Sequence, residues 1–279
     1  MSGNRIDRAF DRLRSAGRRG LIPFLAAGDP SLTCTAALVR ELAAQGADVI
    51  ELGVPFSDPL ADGVVNQRAY QRALAGGATL PRILDLVAEV RRDCDVPIVL
   101  MSYVNPIHRF GLASFPGAAR AAGVDGVIIS DCPPEEMAEF LDGFRAAGVS
   151  PILLVAPTSP ARRIALISSK SGGYIYYVSL RGVTGPRAEL PVDLAEGIRR
   201  IRSVTDKPIA VGFGISTPAQ ARAVATLADA VIVGSALVAR IEALRGDPDA
   251  VARAGEFLGQ FRAALDAPSR GAGDDTGDA

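Results

Sequence analysis

Histidine, cysteine and lysine are nearly missing from this chain of 279 residues, and each shortage removes a class of chemistry. The single histidine, His108, has no Gly-x-Ser-x-Gly elbow to accompany it, so a Ser–His–Asp hydrolase is not expected. It reads as a surface or loop residue. The three cysteines, Cys34, Cys94 and Cys132, are widely separated and match no metal-ligand spacing. They read as reduced, packed thiols of a cytoplasmic protein, with no redox role. No run of about 18 apolar residues is present to cross a membrane. The opening stretch, MSGNRIDRAFDRLRSAGRRG, lacks the apolar centre of a secretory signal. Charge excess is missing too: 30 basic residues face 31 acidic ones, a net charge of -1, which gives no case for nucleic acid or membrane surfaces. Catalysis is left to carboxylates, hydroxyls and backbone groups.

What is present is a large apolar fraction, 48% of residues, arranged in repeats. Short apolar runs alternate with helical patterns, at Leu21–Ala26, Asp48–Leu52, Pro97–Met101, Gly126–Ser130, Pro151–Val155, Tyr174–Ser179, Pro208–Gly212 and Ala230–Val233. Most lack an apolar/polar alternation, as parallel strands covered on both faces should. Between them, Leu32, Val39 and Leu42 share a helical face, as do Met137, Phe140, Leu141 and Phe144. Asp29-Pro30, Ser159-Pro160 and Thr217-Pro218 each place a capping side chain before a proline suited to the first helical position. Gly46 and Gly148 stand where helices should stop. Eight βα units without a composition break predict one closed (β/α)8 (TIM) barrel spanning residues 1–266, at a length typical of that fold. An open doubly wound sheet is the weaker option. Residues 5–16 predict a helix covering the barrel's N-terminal end, and 248–265 a further packed helix. Residues 267–279 read as a disordered tail. The Gly53–Thr79 connection is long for a βα loop and predicts a helix of its own near Asn66–Leu74.

Barrels of this kind place their chemistry at the C-terminal ends of the strands. There the second strand carries Glu51 among Val49, Ile50 and Leu52, where partial burial raises a carboxyl pKa toward the range of proton transfer. Asp62 follows in the long loop. A Glu in this place also pairs with an arginine or caps a loop in many proteins, and Asp58 and Asp62 are equally common turn residues. Three glycine-bearing loops follow strands six, seven and eight: Ser179–Gly185, Gly212–Ser216 and Gly234–Ala236. Close backbone approach and free helix-start amides suit a phosphate.

These residues carry a resemblance. ELGVPFSDPLADG, from Glu51 to Gly63, is similar to the central signature of tryptophan synthase alpha subunits. LIPFLAAGDP (21–30), SYVNPIHRFG (102–111), SDCPPEE (130–136), GVTG (182–185), GFGIS (212–216) and VGSALV (233–238) extend it through most of residues 5–265. The resemblance implies a lyase of tryptophan biosynthesis that splits indole-3-glycerol phosphate into indole and glyceraldehyde 3-phosphate. Glu51 matches the acid/base carboxylate and Asp62 the partner of the indole N–H. Phe24, Tyr103, Ile128 and Phe213 match the indole pocket, and Tyr176 a tyrosine near the catalytic Glu. Gly185, Gly214, Gly234 and Ser235 match phosphate contacts, and Thr184 a residue of the mobile sixth loop that helps hold Asp62. No metal or cofactor is implied in this chain. Pyridoxal phosphate belongs to the beta subunit expected as partner in an alpha2beta2 complex, with Pro55, Asp58, Pro59, Asn105 and Pro133 as contacts. Val64 and Asn66 depart from the family, which usually has a proline and an aliphatic residue there.

Three alternatives remain open at this point. A stand-alone lyase would release indole freely for secondary metabolism. Another phosphate-binding barrel enzyme would use a strand-end Lys or a Cys/Asp pair, and Lys170 and Lys207 fall outside such places. A barrel kept mainly to activate its partner would not need both Glu51 and Asp62.

Overall fold

Strands that are apolar on both faces must be covered on both, and the computed structural model, which describes residues 4–178, 192–212 and 214–268, meets that demand by curling one sheet inside a shell of helices. In chain order the elements are α1 (Arg5–Ser15), β1 (Gly20–Ala26), α2 (Leu32–Ala44), β2 (Ile50–Gly53), α3 (Val64–Ala75), α4 (Leu80–Val90), β3 (Ile98–Ser102), α5 (Val104–Phe110), α6 (Phe115–Ala122) and β4 (Gly126–Ile129). Then follow α7 (Ala138–Ala147), β5 (Ser150–Pro151), β6 (Leu154–Val155), α8 (Ala161–Lys170), β7 (Ile175–Val178), α9 (Val192–Arg202), β8 (Ile209–Gly212), α10 (Pro218–Ala225), β9 (Ala230–Val233), α11 (Ser235–Ala243) and α12 (Ala250–Asp266).

All the pairings are parallel, in the order β5-β4-β3-β2-β1-β9-β8-β7-β6. The two outermost strands are halves of one predicted strand, split at Ile152 and Leu153. The split residues carry the ladder across: the Ile152 amide donates to the Val127 carbonyl at 2.8 Å, and the Tyr176 amide to that of Leu153 at 3.1 Å. The sheet therefore has no free edge, and the eight predicted strands close into a barrel. Period-2 alternation sorts the side chains. Ile22, Val49, Val99, Ile128 and Tyr174 meet in an inner cluster, while Leu21, Ile50, Leu52 and Val127 join the larger shell under the helices. Each such buried aliphatic side chain contributes about 1.5–3 kcal/mol.

The predicted N-terminal helix lies under the barrel. Asn4 and Asp7 form a reciprocal cap at its start, and Ile6, Phe10 and Leu13 are buried against the inner cluster. The rings of Phe10 and Tyr174 stand 5.6 Å apart. Gly126 makes the fit possible, because a Cβ there would lie 2.8 Å from the Ile6 side chain. The C-terminal helix α12 is packed as predicted, with Leu258 and Phe261 fully buried.

Thr217 caps α10 in a capping box with Gln220, as expected. The other two proposed caps do something else. Ser31 starts α2 by accepting the Cys34 amide at 3.1 Å, whereas Asp29 is buried and bonded twice by Arg72, at 2.8 and 2.6 Å. Ser159 accepts the Ala156 amide, and α8 begins only after Pro160. Gly148 ends α7 with φ +74°, and Gly46, at φ +91°, follows the end of α2. The tail expectation concerns residues 267–279, of which 269–279 lie outside the described residues.

Candidate active site

Glu51 owes its direction to strand parity. Val49, two residues earlier on the chain, packs in the inner cluster, so Glu51 also points into the barrel, level with Phe24 on β1 and Val99 on β3. It is fully buried. The Tyr174 hydroxyl donates to its Oε1 at 2.6 Å. Its Oε2 is buried with no hydrogen-bond partner among the described residues. Burial pushes its pKa up to about 8, against the opposing pull of the Tyr174 hydrogen bond. The group is thus a neutral acid at pH 7, with one oxygen free to meet a substrate. Among the described residues no arginine pairs with it.

Tyr174 was legible only as the first residue of a strand. Tyr176 was the tyrosine expected beside Glu51, yet the hydroxyl bonded to that carboxyl is Tyr174's. Tyr176 faces the same interior, and its ring occupies the space left by Gly212, where a Cβ would lie 2.4 Å from the hydroxyl oxygen.

Asp62 sits in the loop that leads into α3, half-buried over the barrel mouth. Tyr103, just before α5, donates its hydroxyl to Oδ2 at 2.6 Å, and Asn66 Nδ2 donates to Oδ1 at 3.1 Å. Gln67 Nε2 donates to the Asp62 carbonyl at 2.8 Å, and the Ala61 amide donates to the Tyr103 oxygen at 3.1 Å. Burial raises the Asp62 pKa, and the Tyr103 and Asn66 hydrogen bonds hold it down. Asn66, which the sequence marks only as a departure, thus touches the Asp62 carboxylate. Phe24, level with Glu51, and Ile128, two residues nearer the mouth on β4, are buried in the barrel wall. Phe213 lies outside the described residues.

Two strands along the sheet from β2, beyond β1, Gly234 follows β9 and precedes α11, and its carbonyl takes the Leu237 amide at 2.9 Å and the Val238 amide at 3.2 Å. The amides of Ser235 and Ala236, in the first turn, have no acceptor within the helix. Gly214 adopts φ +45° just beyond β8, the strand that pairs with β9. Thr184 and Gly185 lie outside the described residues. An ion-pair tie invisible in the sequence joins α11 to α3: Glu242 on α11 meets Arg68 at 2.8 Å and Arg72 at 2.7 Å, both on α3, and Arg72 holds Asp29.

Of the expected partner contacts, Asp58 and Asn105 are exposed, Pro59 and Pro133 half-buried, and Pro55 buried. Leu60 and Val64 stand out beside them, 85% and 65% exposed. His108 lies on the exposed face of α5. Burial raises the thiol pKa of Cys34 and Cys132, the direction that makes a thiol inert. No group of three or more potential metal ligands occurs among the described residues.

A buried carboxyl with a raised pKa and a second carboxylate held by two donors stand at the strand ends where barrels of this kind carry their active sites, and the class they point to is a (β/α)8-barrel enzyme. Comparison with known proteins narrows that class. The family model for the tryptophan synthase alpha chain matches residues 10–266, and the chain belongs to that family. The tryptophan synthase alpha chain of Laribacter hongkongensis is 50% identical over 266 residues, 95% of this chain and 100% of that one. That of Burkholderia thailandensis is 52% identical over 269 residues, covering 96% and 98%. The crystal structure of tryptophan synthase subunit alpha from Legionella pneumophila superposes with a TM-score of 0.88 at 39% identity, covering 95% of this chain and 99% of that one.

Proposed function

We propose that this chain splits indole-3-glycerol phosphate into indole and glyceraldehyde 3-phosphate, with Glu51 as the proton donor and acceptor and Asp62 as the partner of the indole N–H. The observation that carries these roles is the protonated, buried Glu51 with its unpaired Oε2. The C3–C1′ bond of an indole substrate cannot break while the ring electrons are held in the aromatic system. Protonation of C3 by Glu51 turns the ring into an indolenine, with positive charge on nitrogen. Asp62, an anion aimed by Tyr103 and Asn66, accepts the N–H and stabilises that charge. The Glu51 carboxylate left behind then takes the proton of the C1′ hydroxyl. As C1′ becomes an aldehyde, the C3–C1′ electron pair returns to the ring and restores its aromaticity. Proton transfer from a placed side chain contributes roughly 10²–10⁴-fold, and orientation adds to it.

Phe24, Tyr103, Ile128, Tyr176 and Phe213 would enclose the indole. The amides of Gly234, at the cap of α11, and Ser235, in its first turn, with Gly214 and Gly185, would take the phosphate, and Thr184 would close over it. Both proton movements use one carboxyl, so the reaction needs no cofactor from this chain. As an alpha chain it has a beta subunit as its counterpart. In an alpha2beta2 complex that subunit would carry pyridoxal phosphate and receive indole at a surface made by Asp58, Pro59, Asn105 and Pro133, with Leu60 and Val64 as exposed apolar anchors. Pro55 would shape the loop from beneath. No helix among the described residues is long and apolar enough to cross a membrane, in keeping with work in the cytoplasm.

The deciding measurement is indole release from indole-3-glycerol phosphate with and without a beta subunit. Low turnover alone that rises strongly with the beta subunit is the expected result. High turnover indifferent to it would make the chain a stand-alone lyase, and no indole in either case would overturn the reading.

A further inference from the structure

Asn66 is an amide in a place that does not favour one. Its Oδ1 is buried without a hydrogen-bond partner among the described residues, and an unpaired buried acceptor destabilises a fold where an aliphatic side chain would not. Its Nδ2 makes one hydrogen bond, the 3.1 Å contact to Asp62 Oδ1. Helical side chains lean toward the N-terminus, so a residue in the third position of α3 reaches back over the chain entering the helix. Gly63, at the cap, makes no side-chain capping bond. The next residue, Gln67, fastens the Asp62 carbonyl, while Tyr103 bonds Oδ2 from the end of the neighbouring strand β3. Each carboxylate oxygen therefore has its own donor, and the plane of the group is fixed from two elements.

We propose that Asn66 is a positioning residue for the lyase reaction, holding the Asp62 carboxylate in one orientation and in its anionic form. The inference rests on the reading of Asp62 as the indole N–H partner. The titratable groups around Asp62 are the phenols of Tyr103 before α5, Tyr70 on α3 and Tyr176 on β7, with Glu51 on β2 facing the latter two. The phenols are neutral near pH 7, so the charge on Asp62 is set by burial on one side and two hydrogen-bond donors on the other. Losing one donor leaves burial less opposed, and protonation of Asp62 then begins at higher pH.

The test uses the full chain, with Asn66→Leu and Asn66→Ser measured beside Asp62→Asn. Both Asn66 variants should lower kcat by about tenfold with KM within about twofold, and move the acid limb of kcat/KM up by about one pH unit. Thermal unfolding of the leucine variant should hold steady or rise, since the orphan oxygen is gone. Unchanged kcat and acid limb in both variants, or a lower kcat with an unmoved acid limb, would overturn the proposal. If Asp62→Asn is inactive while both Asn66 variants behave as wild type, the role of Asn66 alone fails. If Asp62→Asn turns over normally, the reading of Asp62 fails first and takes this proposal with it.

Discussion

Glu51 keeps its proton at neutral pH because burial has removed the water that would stabilise its charge, and a single phenol is left to replace it. Two outcomes follow at this residue. Glu51→Gln should fold normally and lose at least about 100-fold in kcat, read by indole release. It should also change how stability depends on pH. The folded pKa of about 8 lies above the ordinary value of 4.5, so the folded state binds the extra proton between them. Glu51 therefore favours folding fully below about pH 4.5, and that support is lost as pH rises through about 8. Melting curves should show Glu51→Gln gaining on the wild type across this window. A constant difference from pH 5 to pH 9 would mean that Glu51 is charged in the folded protein. Tyr174→Phe removes the one group that favours the anion. Its kcat should fall about tenfold, and the basic limb of the rate profile should move to higher pH. Sequence parity alone aimed Glu51 inward. It gave no hint of Tyr174, which stands 123 residues away and meets Glu51 only when the barrel closes.

Among the elements, α3 ties together the chain after β1, the chain after β2 and the helix after β9. Its first turn holds Asp62 and its last turn, through Arg72, holds both Asp29 after β1 and Glu242 on α11. Asp29 is 4% exposed, so Arg72→Met would strand a buried charge, at a cost of about 3 kcal/mol in a urea titration. Asp29→Asn in the same chain should recover part of that loss; additive effects of the two changes would show that they do not interact. The sequence announced α3 through the length of the Gly53–Thr79 connection, but it misassigned Asp29 as a helix cap. The dipeptide Asp29-Pro30 has the right composition for a cap, and so does Ser31. An arginine 43 residues further along decides between them, which no local pattern records.

For the whole molecule, nearly the entire barrel was legible, because parallel strands covered on both faces leave short apolar runs that few other structures share. The break in the fifth strand was not, since it depends on which neighbour each half finds. The plug of α1 was legible as a helix over residues 5–16 that covers the barrel's N-terminal end, though not the residues it meets there. Phe10→Ala should cost about 3–4 kcal/mol, seen as a lower melting temperature. It also removes the ring beneath Tyr174, so kcat should fall even at temperatures where the variant is fully folded. A full loss of stability with unchanged turnover would separate the plug from the acid above it.

Because α1 seals the floor, the barrel is a flask with one neck. Among the described residues, Asp62 and the start of α11 stand at its open end. With its floor filled by Ile6, Phe10 and Leu13, such a vessel can be stoppered from one end alone.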